Sequence, residues 1–330
     1  YGEEFALKND KQDHLTVEDL AKMRERIHEM MRARSSSDIA EAYKKWSYYV
    51  ALTSSGSQRL CEQLRLLLEP MLATKLRGDY RTGKRINMRK IIPYIASSFK
   101  KDKIWMRRTK PSKRQYQIMI AIDDSKSMES GMDGSIGAGQ LACEAMATIC
   151  NAMSRLEVGE ISVASFGEEF QLLHSFDDPF TADSGASILS NFTFAQEKTD
   201  MPETLRLILQ YFETARRPLN TQGQTEYVQL AFLISDGRFE DSKRGLVARY
   251  IREAAKRKQL VVLLICNTKG SSITDMKRVE FGTPGRAFTM KHYLEDYPFP
   301  YFCVIDNMAM LPEVLSSSLT QWFEMLRQRQ

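Results

Sequence analysis

The sequence predicts an α/β protein with a doubly wound, mainly parallel β-sheet flanked by helices. From residue 115 to the end, apolar runs of strand length alternate with stretches of helical periodicity, as in a series of βα units. Several of these runs are almost continuous Ile, Val and Leu, which is typical of strands buried on both faces. We expect an N-terminal helical layer in residues 1–114 and an insertion at about residues 267–300.

The first 114 residues are expected to contain this helical layer and a basic connector, both packed on the core. Apolar residues recur at helical spacing in three stretches: Thr16–Arg34, Asp38–Leu52 and Gln58–Leu76. From Arg77 to Arg114, Gly and Pro residues divide the pattern into short amphipathic pieces such as Ile91–Phe99. This pattern favours a packed connector over a free linker.

Residues 115–330 contain the elements of the predicted sheet. Strands are expected at Gln117–Ile122, Glu160–Phe166, Phe170–His174, Val228–Ile234, Leu260–Cys266 and Tyr301–Ile305. Helices are expected near Ala138–Arg155, Pro202–Thr214, Lys243–Lys256 and Leu311–Arg327. The segment 267–300 is longer than an ordinary strand connection, and Gly282, Pro284 and Gly285 suit the turn of a protruding hairpin.

The composition is that of a soluble protein with a large core. Its 330 residues are 43% hydrophobic, which is enough to bury a core without disulfides. There is no run of about eighteen apolar residues, and the start at Tyr1 has neither an initiator Met nor a secretory leader. We therefore expect a piece of a longer protein that does not enter a membrane. The five cysteines lack CxxC or Cys/His zinc spacing, so we expect reduced core residues.

Two predicted strands end in residues with oxygen side chains. Asp123, Ser125 and Ser127 follow the first strand at alternate positions, and Ser235-Asp236-Gly237 follows Val228–Ile234. Alternate residues leaving a strand can converge on one point, and doubly wound sheets bind ligands beyond the carboxyl ends of their strands. Hydroxyl and carboxylate oxygens suit Mg²⁺, with Mn²⁺ or Ca²⁺ as alternatives. The competing interpretation is that these residues only cap a helix and shape a turn.

The run Ile120–Met128, together with Ile234-Ser235-Asp236-Gly237, resembles a von Willebrand factor type A domain with its metal-ion-dependent adhesion site. The resemblance covers about two thirds of the chain. It implies that two serines of the first motif bind the ion directly, together with a threonine from a later loop. It also implies that two aspartates act through water.

Carried onto this sequence, the resemblance assigns the metal site to Asp123, Ser125, Ser127, Thr199 and Asp236. Thr199 is chosen because it lies in a Glu-Lys-Thr-Asp loop just before a predicted helix. The spacing leaves Thr193 and Thr204 open as alternatives.

Within this family the chain resembles one branch. Many members have Gly between the two serines, where this chain has Lys126. With Lys126 at this position and with the runs Lys75–Arg85 and Asp102–Trp105, the chain resembles the giant nuclear AAA+ ATPases of large ribosomal subunit assembly. The resemblance implies a binding domain and not an enzyme, with ATP bound only by the parent protein and its AAA+ ring.

The implied partners are ubiquitin-like domains of WD-repeat ribosome assembly factors, which the ATPase ring removes from pre-60S particles in the nucleus. A Mg²⁺ ion held by three neutral hydroxyls keeps most of its charge uncompensated, so an acidic residue of the partner would complete its coordination. Lys126 is a candidate second contact to that acid; an exposed lysine without a role is the alternative.

The formal charge of +5 is unevenly distributed. Between Lys75 and Arg114 there are fifteen Lys or Arg and two Asp, so this segment is strongly basic. Residues Lys100–Arg114, with Trp105, are candidates for contacts with rRNA or import factors, or for pairing with an acidic region. The insertion, with Lys277 and Arg278, is a second candidate for docking. A solvated basic face is the alternative for both.

Other functions fit the sequence less well. A haloacid-type phosphatase would need a second acid where Ser125 stands, and the sequence has no GxSxG motif and no complete phosphate-binding loop. No His is close in sequence to either acidic motif to act as a general base. The alternatives that remain are a type A domain of a metal-chelatase-like AAA+ partner subunit, for which Gly in place of Lys126 would be expected, and an RNA-binding module.

Overall fold

The computed structural model describes residues 22, 25, 36–68, 76–108, 114–129, 137–156, 159–216, 226–267, 273, 277–280, 289–295, 297–305 and 307–328. The predicted helix Thr16–Arg34 lies outside these residues except for Lys22 and Glu25, which are helical. The predicted hairpin turn at Gly282, Pro284 and Gly285 lies outside them as well.

The chain divides into two compact units. The larger contains Tyr1–Arg65, Gln115–Pro218 and Tyr227–Gln330, and the smaller contains Leu66–Arg114 and Leu219–Glu226. The segment 1–114, treated above as one layer, is thus shared between the two units.

The larger unit is built on a six-stranded sheet. Its strands in chain order are β4 (Arg114–Asp123), β5 (Glu160–Phe166), β6 (Gln171–His174), β7 (Glu226–Ser235), β8 (Gln259–Cys266) and β11 (Phe302–Ile305). Their order in the sheet is β11-β8-β7-β4-β5-β6. The pairs β4/β5, β7/β8 and β8/β11 are parallel, and β6 is antiparallel to β5. The predicted doubly wound α/β fold is therefore confirmed.

Helices cover this sheet and explain why its strands are so apolar. They are α1 (Ser36–Leu52), α2 (Ser54–Leu68), α4 (Ala138–Leu156), α5 (Ala182–Leu189), α6 (Met201–Ala215), α7 (Arg244–Lys256) and α8 (Leu311–Gln328). All eight residues of β8 are buried, as expected for a strand covered on both faces. The helix α5 was not predicted, because two turns of small residues give a weak periodic signal.

Three buried glutamines link the amino-terminal parts of adjacent strands. Gln229 donates a hydrogen bond to Gln117 (Nε2 to Oε1, 2.8 Å), and Gln259 donates one to Gln229 (2.8 Å). Each amide is less than 3% exposed. A slip in register would leave buried amides without partners, so this ladder favours one alignment of β4, β7 and β8.

The N-terminal helix α1 packs against α5 and α4 of the larger unit. Trp46 of α1 is buried and contacts Phe180 edge to face at 5.9 Å. Its indole lies directly over Gly185 of α5: a Cβ added there would come within 2.2 Å of the ring. A glycine at this position therefore permits the close approach of the two helices.

The smaller unit contains a three-stranded sheet that the sequence analysis did not predict. Its strands are β1 (Leu76–Tyr80), β2 (Arg85–Ile86) and β3 (Trp105–Arg108), in the order β1-β3-β2 with antiparallel pairing. The short helix α3 (Ile91–Ala96) lies between them in sequence. Strands of two to five residues rich in Arg and Gly lack the alternating apolar pattern that identifies a strand.

The insertion after β8 contains the predicted hairpin. Strands β9 (Lys277–Glu280) and β10 (Thr289–His292) pair antiparallel in a sheet of their own. All five cysteines are buried and unbridged, as predicted. Among the described residues, no helix combines the length and the apolar character needed to cross a membrane.

The contact between Trp46 and Gly185 can be tested by substitution. We expect Gly185→Ala to lower the free energy of unfolding by about 1–3 kcal/mol, because the new methyl group overlaps the buried indole. Urea denaturation measures this change. Gly56→Ala in α2 is the matched control, since its Cβ would meet Thr148 Cγ2 at an ordinary 3.7 Å. Equal stability of the two variants would contradict the described packing.

Candidate metal centre

The two predicted acidic motifs meet at one edge of the sheet. The strand β4 ends at Asp123 and β7 ends at Ser235, and these strands are neighbours in the sheet. Ser235 Oγ donates a hydrogen bond of 2.7 Å to Asp123 Oδ2. Both residues are completely buried. The two strand ends are therefore joined by a charge-assisted hydrogen bond, which is stronger than a neutral one.

The hydroxyl groups predicted to hold the ion surround Asp123. Ser125 Oγ and Ser127 Oγ lie 2.9 Å apart and share a hydrogen bond. Thr199 Oγ1 donates to both oxygens of the Asp123 carboxylate, at 3.3 and 3.4 Å. The backbone amide of Ser125 donates to Asp123 Oδ1 at 3.0 Å. The structure thus brings three hydroxyl groups and one carboxylate to a single point.

The alternative threonines lie elsewhere. Thr193 donates from its hydroxyl to Asp124 Oδ2 at 3.2 Å, and Thr204 donates to the Asp200 carbonyl within α6 at 2.9 Å. Of the three threonines considered, Thr199 is the one that contacts Asp123.

Asp124 holds the loop that carries Thr199, a role that the sequence analysis missed. Its carboxylate accepts from the amides of Thr193 (2.9 Å) and Phe194 (2.6 Å) and from the side chain of Gln196 (3.4 Å). Gln196 also forms a parallel bridge with Ser125. The adjacent acids Asp123 and Asp124 therefore contact the same loop at two places, Asp123 at Thr199 and Asp124 at Thr193 and Phe194.

Asp236 has a carboxylate oxygen that is suited to a further ligand. Its Oδ1 accepts from the backbone amide of Arg238 at 3.0 Å. Its Oδ2 is buried without a hydrogen-bond partner among the described residues, and Arg238 Nε lies 3.8 Å away. Because a buried carboxylate oxygen without a hydrogen bond is costly, and Arg238 Nε is beyond hydrogen-bond distance, this atom is suited to a cation or to water bound to a cation.

The pKa of the Asp123 carboxyl is raised to about 6, mainly by burial and to a smaller extent by the nearby Asp236, against the hydrogen bonds from Ser235 and Ser125, which lower it. Two buried carboxylates close to each other form a site at which a divalent cation is favourable, since the cation compensates both charges.

The donor set fits a hard cation. Ser125, Ser127 and Thr199 supply neutral oxygens, and Asp123 and Asp236 supply carboxylates, which suit Mg²⁺, Mn²⁺ or Ca²⁺. In the described part of the chain, no group of three or more His, Cys, Asp or Glu residues has the arrangement of a metal site. A centre of this kind therefore depends on its hydroxyl groups.

The three hydroxyl residues line an open cleft of about 410 Å³, whereas Asp123 and Asp236 are not among its lining residues. The charged lining residues are Glu168, Glu197, Lys198, Asp200, Arg238, Glu240 and Lys243. Lys126, the predicted partner contact, is exposed but does not line the cleft. The sequence analysis missed Lys198 and Lys243, whose loops are brought to the cleft only by folding.

Residues 118–238 match the von Willebrand factor type A domain. They include both strand ends of the candidate centre and the loop with Thr199. This part of the chain is therefore a von Willebrand factor type A domain.

Within that class, the sequence belongs with the type A domains of midasins. It is 42% identical over 318 residues to midasin of Dictyostelium discoideum and 39% identical over 298 residues to midasin of Giardia intestinalis. These matches cover 96% and 88% of this chain but 5% and 6% of the two relatives. The chain thus spans a small part of the length of the midasins it matches.

The solved structures that match this chain are distant in sequence. Proximal thread matrix protein 1 from the mussel byssus has a TM-score of 0.42 and 11% identity, covering 63% of this chain and 47% of that one. The protein BatB from Bacteroides thetaiotaomicron has a TM-score of 0.39 and 14% identity, covering 63% of this chain and 99% of that one.

Gly237, directly after Asp236, provides a test of the loop geometry. Its φ is +78°, and an added Cβ would lie 2.9 Å from Ile273 Cδ1 and 3.1 Å from the Tyr297 hydroxyl. We expect Gly237→Ala to cost about 1–2 kcal/mol in unfolding free energy and to weaken Mn²⁺ binding, because the left-handed backbone is strained with a side chain. Urea denaturation and Mn²⁺ titration measure the two effects.

The matched control is Gly245→Ala in α7, where nothing lies within 4 Å of the added Cβ. We expect this variant to be as stable as the unaltered chain or more stable by about 0.5 kcal/mol, since Ala is the better helix former. Unchanged stability and Mn²⁺ affinity in Gly237→Ala would refute the described loop conformation.

Proposed function

We propose that this chain is a metal-dependent protein-binding domain in which an acidic residue of a partner completes the coordination of a Mg²⁺ ion. The observation that carries the proposal is the layered arrangement of the site. Three hydroxyl residues face the cleft, and the two aspartates lie behind them. An ion held from one side by this set has its remaining positions directed toward the cleft, where a second protein can reach them.

In this proposal Ser125, Ser127 and Thr199 hold the ion directly, and Asp123 and Asp236 hold its water ligands. When bound, the ion supplies a positive charge that attracts a carboxylate. The chain's own residues keep the hydroxyl groups in position: Asp123 accepts from Thr199 and from the Ser125 amide, which orients both loops. Direct neutral ligands compensate less of the ion's charge than carboxylates would, which favours binding of an external acid.

The same hydrogen bonds argue against an enzymatic role. Both oxygens of Asp123 accept hydrogen bonds, from Ser235 and Ser125 as well as from Thr199. A carboxylate engaged in this way orients its neighbours and is poorly placed to remove a proton from a water molecule. We therefore propose binding without turnover for this chain.

The charges around the cleft indicate what kind of acidic surface fits. Lys243 is paired with Asp200 at 3.3 Å, and the exposed Lys198 is also part of the lining. Glu168 and Glu197 are exposed on the same lining. A partner with a dense acidic patch would be repelled by these glutamates. The rim therefore favours a single acidic residue surrounded by neutral or basic ones.

The partners that we propose come from the similarity to midasins. They are ubiquitin-like domains of WD-repeat ribosome assembly factors. The parent protein would be an AAA+ ATPase of the nucleus that pulls these factors from pre-60S particles. This chain would bind the partner and thereby couple it to the ATPase ring.

The first test removes the proposed ligands. We expect Ser125→Ala and Ser127→Ala to abolish binding of the ubiquitin-like domain, and EDTA to do the same to the unaltered chain. Ser127 is exposed, and its hydroxyl bonds to Ser125, so little stability should be lost. Calorimetric titration with the ubiquitin-like domain, in Mg²⁺ and in EDTA, measures the effect.

Ser154→Ala is the matched control, because Ser154 is an exposed serine of α4. It should bind like the unaltered chain. If the two motif variants bind normally in EDTA, the proposed function is wrong. Binding to RNA that falls steeply with salt and is indifferent to EDTA would favour the RNA-binding alternative.

The second test concerns the cationic residues. We expect Lys198→Ala and Lys126→Ala to slow association with the ubiquitin-like domain roughly two- to five-fold at low salt, with a smaller effect at high salt, because exposed charges act mainly on encounter. Stopped-flow kinetics at two salt concentrations measures this. Lys256→Ala, at the carboxyl end of α7, is the control. A lysine variant that matches this control would show that its side chain does not meet the partner.

A further inference from the structure

A cluster of aromatic side chains connects the insertion to the loop of the candidate metal centre. Tyr293, Tyr297 and Phe299 follow the hairpin strand β10, and Tyr293 and Phe299 are buried. Phe239 of the metal-site loop packs against Tyr297 at 5.7 Å and Phe299 at 6.2 Å between ring centroids. The end of the insertion therefore packs on a residue that lines the cleft.

Two tyrosine hydroxyls bind the backbone of the same loop. Tyr297 donates to the Gly237 carbonyl at 2.8 Å. The Tyr293 hydroxyl donates to the Phe239 carbonyl and accepts from the Phe239 amide, both at 3.2 Å. Gly237 directly follows the proposed ligand Asp236. These three hydrogen bonds hold the residues that set the direction of the Asp236 side chain.

Arg244 holds the tyrosines in turn. This buried first residue of α7 places its guanidinium 4.5 Å from the centre of the Tyr293 ring and donates to the Tyr293 carbonyl at 3.2 Å. A desolvated cation over an aromatic face is a favourable contact. Burial also raises the pKa of the Tyr297 phenol, so its hydroxyl stays protonated and remains a donor.

We infer that Tyr293 and Tyr297 are positioning residues for the metal centre, and that through them the inserted segment sets the geometry of the loop that carries Asp236. Metal binding is then linked to the conformational order of the inserted segment. This inference rests on the proposed metal-dependent function. Linkage is reciprocal: if the insertion stabilises the metal-binding loop, the bound metal stabilises the insertion. A contact made by the hairpin would then change the affinity of the cleft for its partner.

The inference predicts that removing either hydroxyl weakens metal binding without unfolding the chain. We expect Tyr297→Phe and Tyr293→Phe each to lower Mn²⁺ affinity roughly three- to ten-fold, since each variant loses hydrogen bonds to the loop backbone. Electron paramagnetic resonance of free Mn²⁺ measures the affinity. Tyr211→Phe is the matched control: its buried hydroxyl accepts from the Phe176 amide at 3.3 Å, away from the cleft.

The reciprocal effect is measured by hydrogen exchange. In the unaltered chain, saturating Mg²⁺ should raise amide protection in residues 293–299, and this increase should be smaller in Tyr297→Phe. If Tyr297 had only a structural role, the Tyr297→Phe substitution would lower amide protection to the same extent with and without Mg²⁺.

The outcomes separate the two proposals. If the unaltered chain does not bind Mn²⁺, the metal site is wrong and the positioning role falls with it. If the unaltered chain binds Mn²⁺ and both variants match Tyr211→Phe, the positioning role alone is overturned. A loss of affinity confined to the two tyrosine variants, with the Mg²⁺-dependent change in exchange, supports it.

Discussion

The candidate centre depends on one buried carboxylate, that of Asp123. It receives hydrogen bonds from the next strand through Ser235, from the following loop through the Ser125 amide, and from a distant loop through Thr199. The most distant donor, Ser235, lies 112 residues from Asp123 in the chain. A charged acceptor in a low-dielectric interior makes each bond strong and makes its loss costly, so the three segments are held together at one point.

The sheet gives this point its rigidity. At the opposite end of β4, β7 and β8, the glutamine ladder aligns the strands, and the parallel register then brings their carboxyl ends to the same edge. Strand alignment at one end therefore determines which side chains meet at the other. The loops beyond that edge need only short-range support, which Asp124 provides on one side and the tyrosines of the insertion provide on the other.

Much of this could be predicted from the residues in order. The strands and most long helices of the larger unit carry strong apolar patterns, and their predicted bounds differ from the observed ones by a few residues. The exception is the helix predicted at Gln58–Leu76: α2 ends at Leu68, and Leu76 begins strand β1, because the leucine spacing continues past the end of the helix. The oxygen-bearing positions at the ends of β4 and β7 were also visible, because they interrupt apolar runs. The sheet of the smaller unit and the helix α5 escaped prediction, since short elements rich in Arg, Gly or small residues have no distinctive periodicity.

The order of the residues specifies local features: which segments are strands and helices, where the apolar runs stop, and which oxygen side chains stand there. Folding sets which of three threonines reaches Asp123, that Asp124 holds the preceding part of the same loop, and that Lys198 and Lys243 line the cleft while Lys126 does not. The reason is physical. Periodicity reports burial along one segment, whereas a binding centre depends on the meeting of segments far apart in the chain, and the packing of the whole sheet sets those distances.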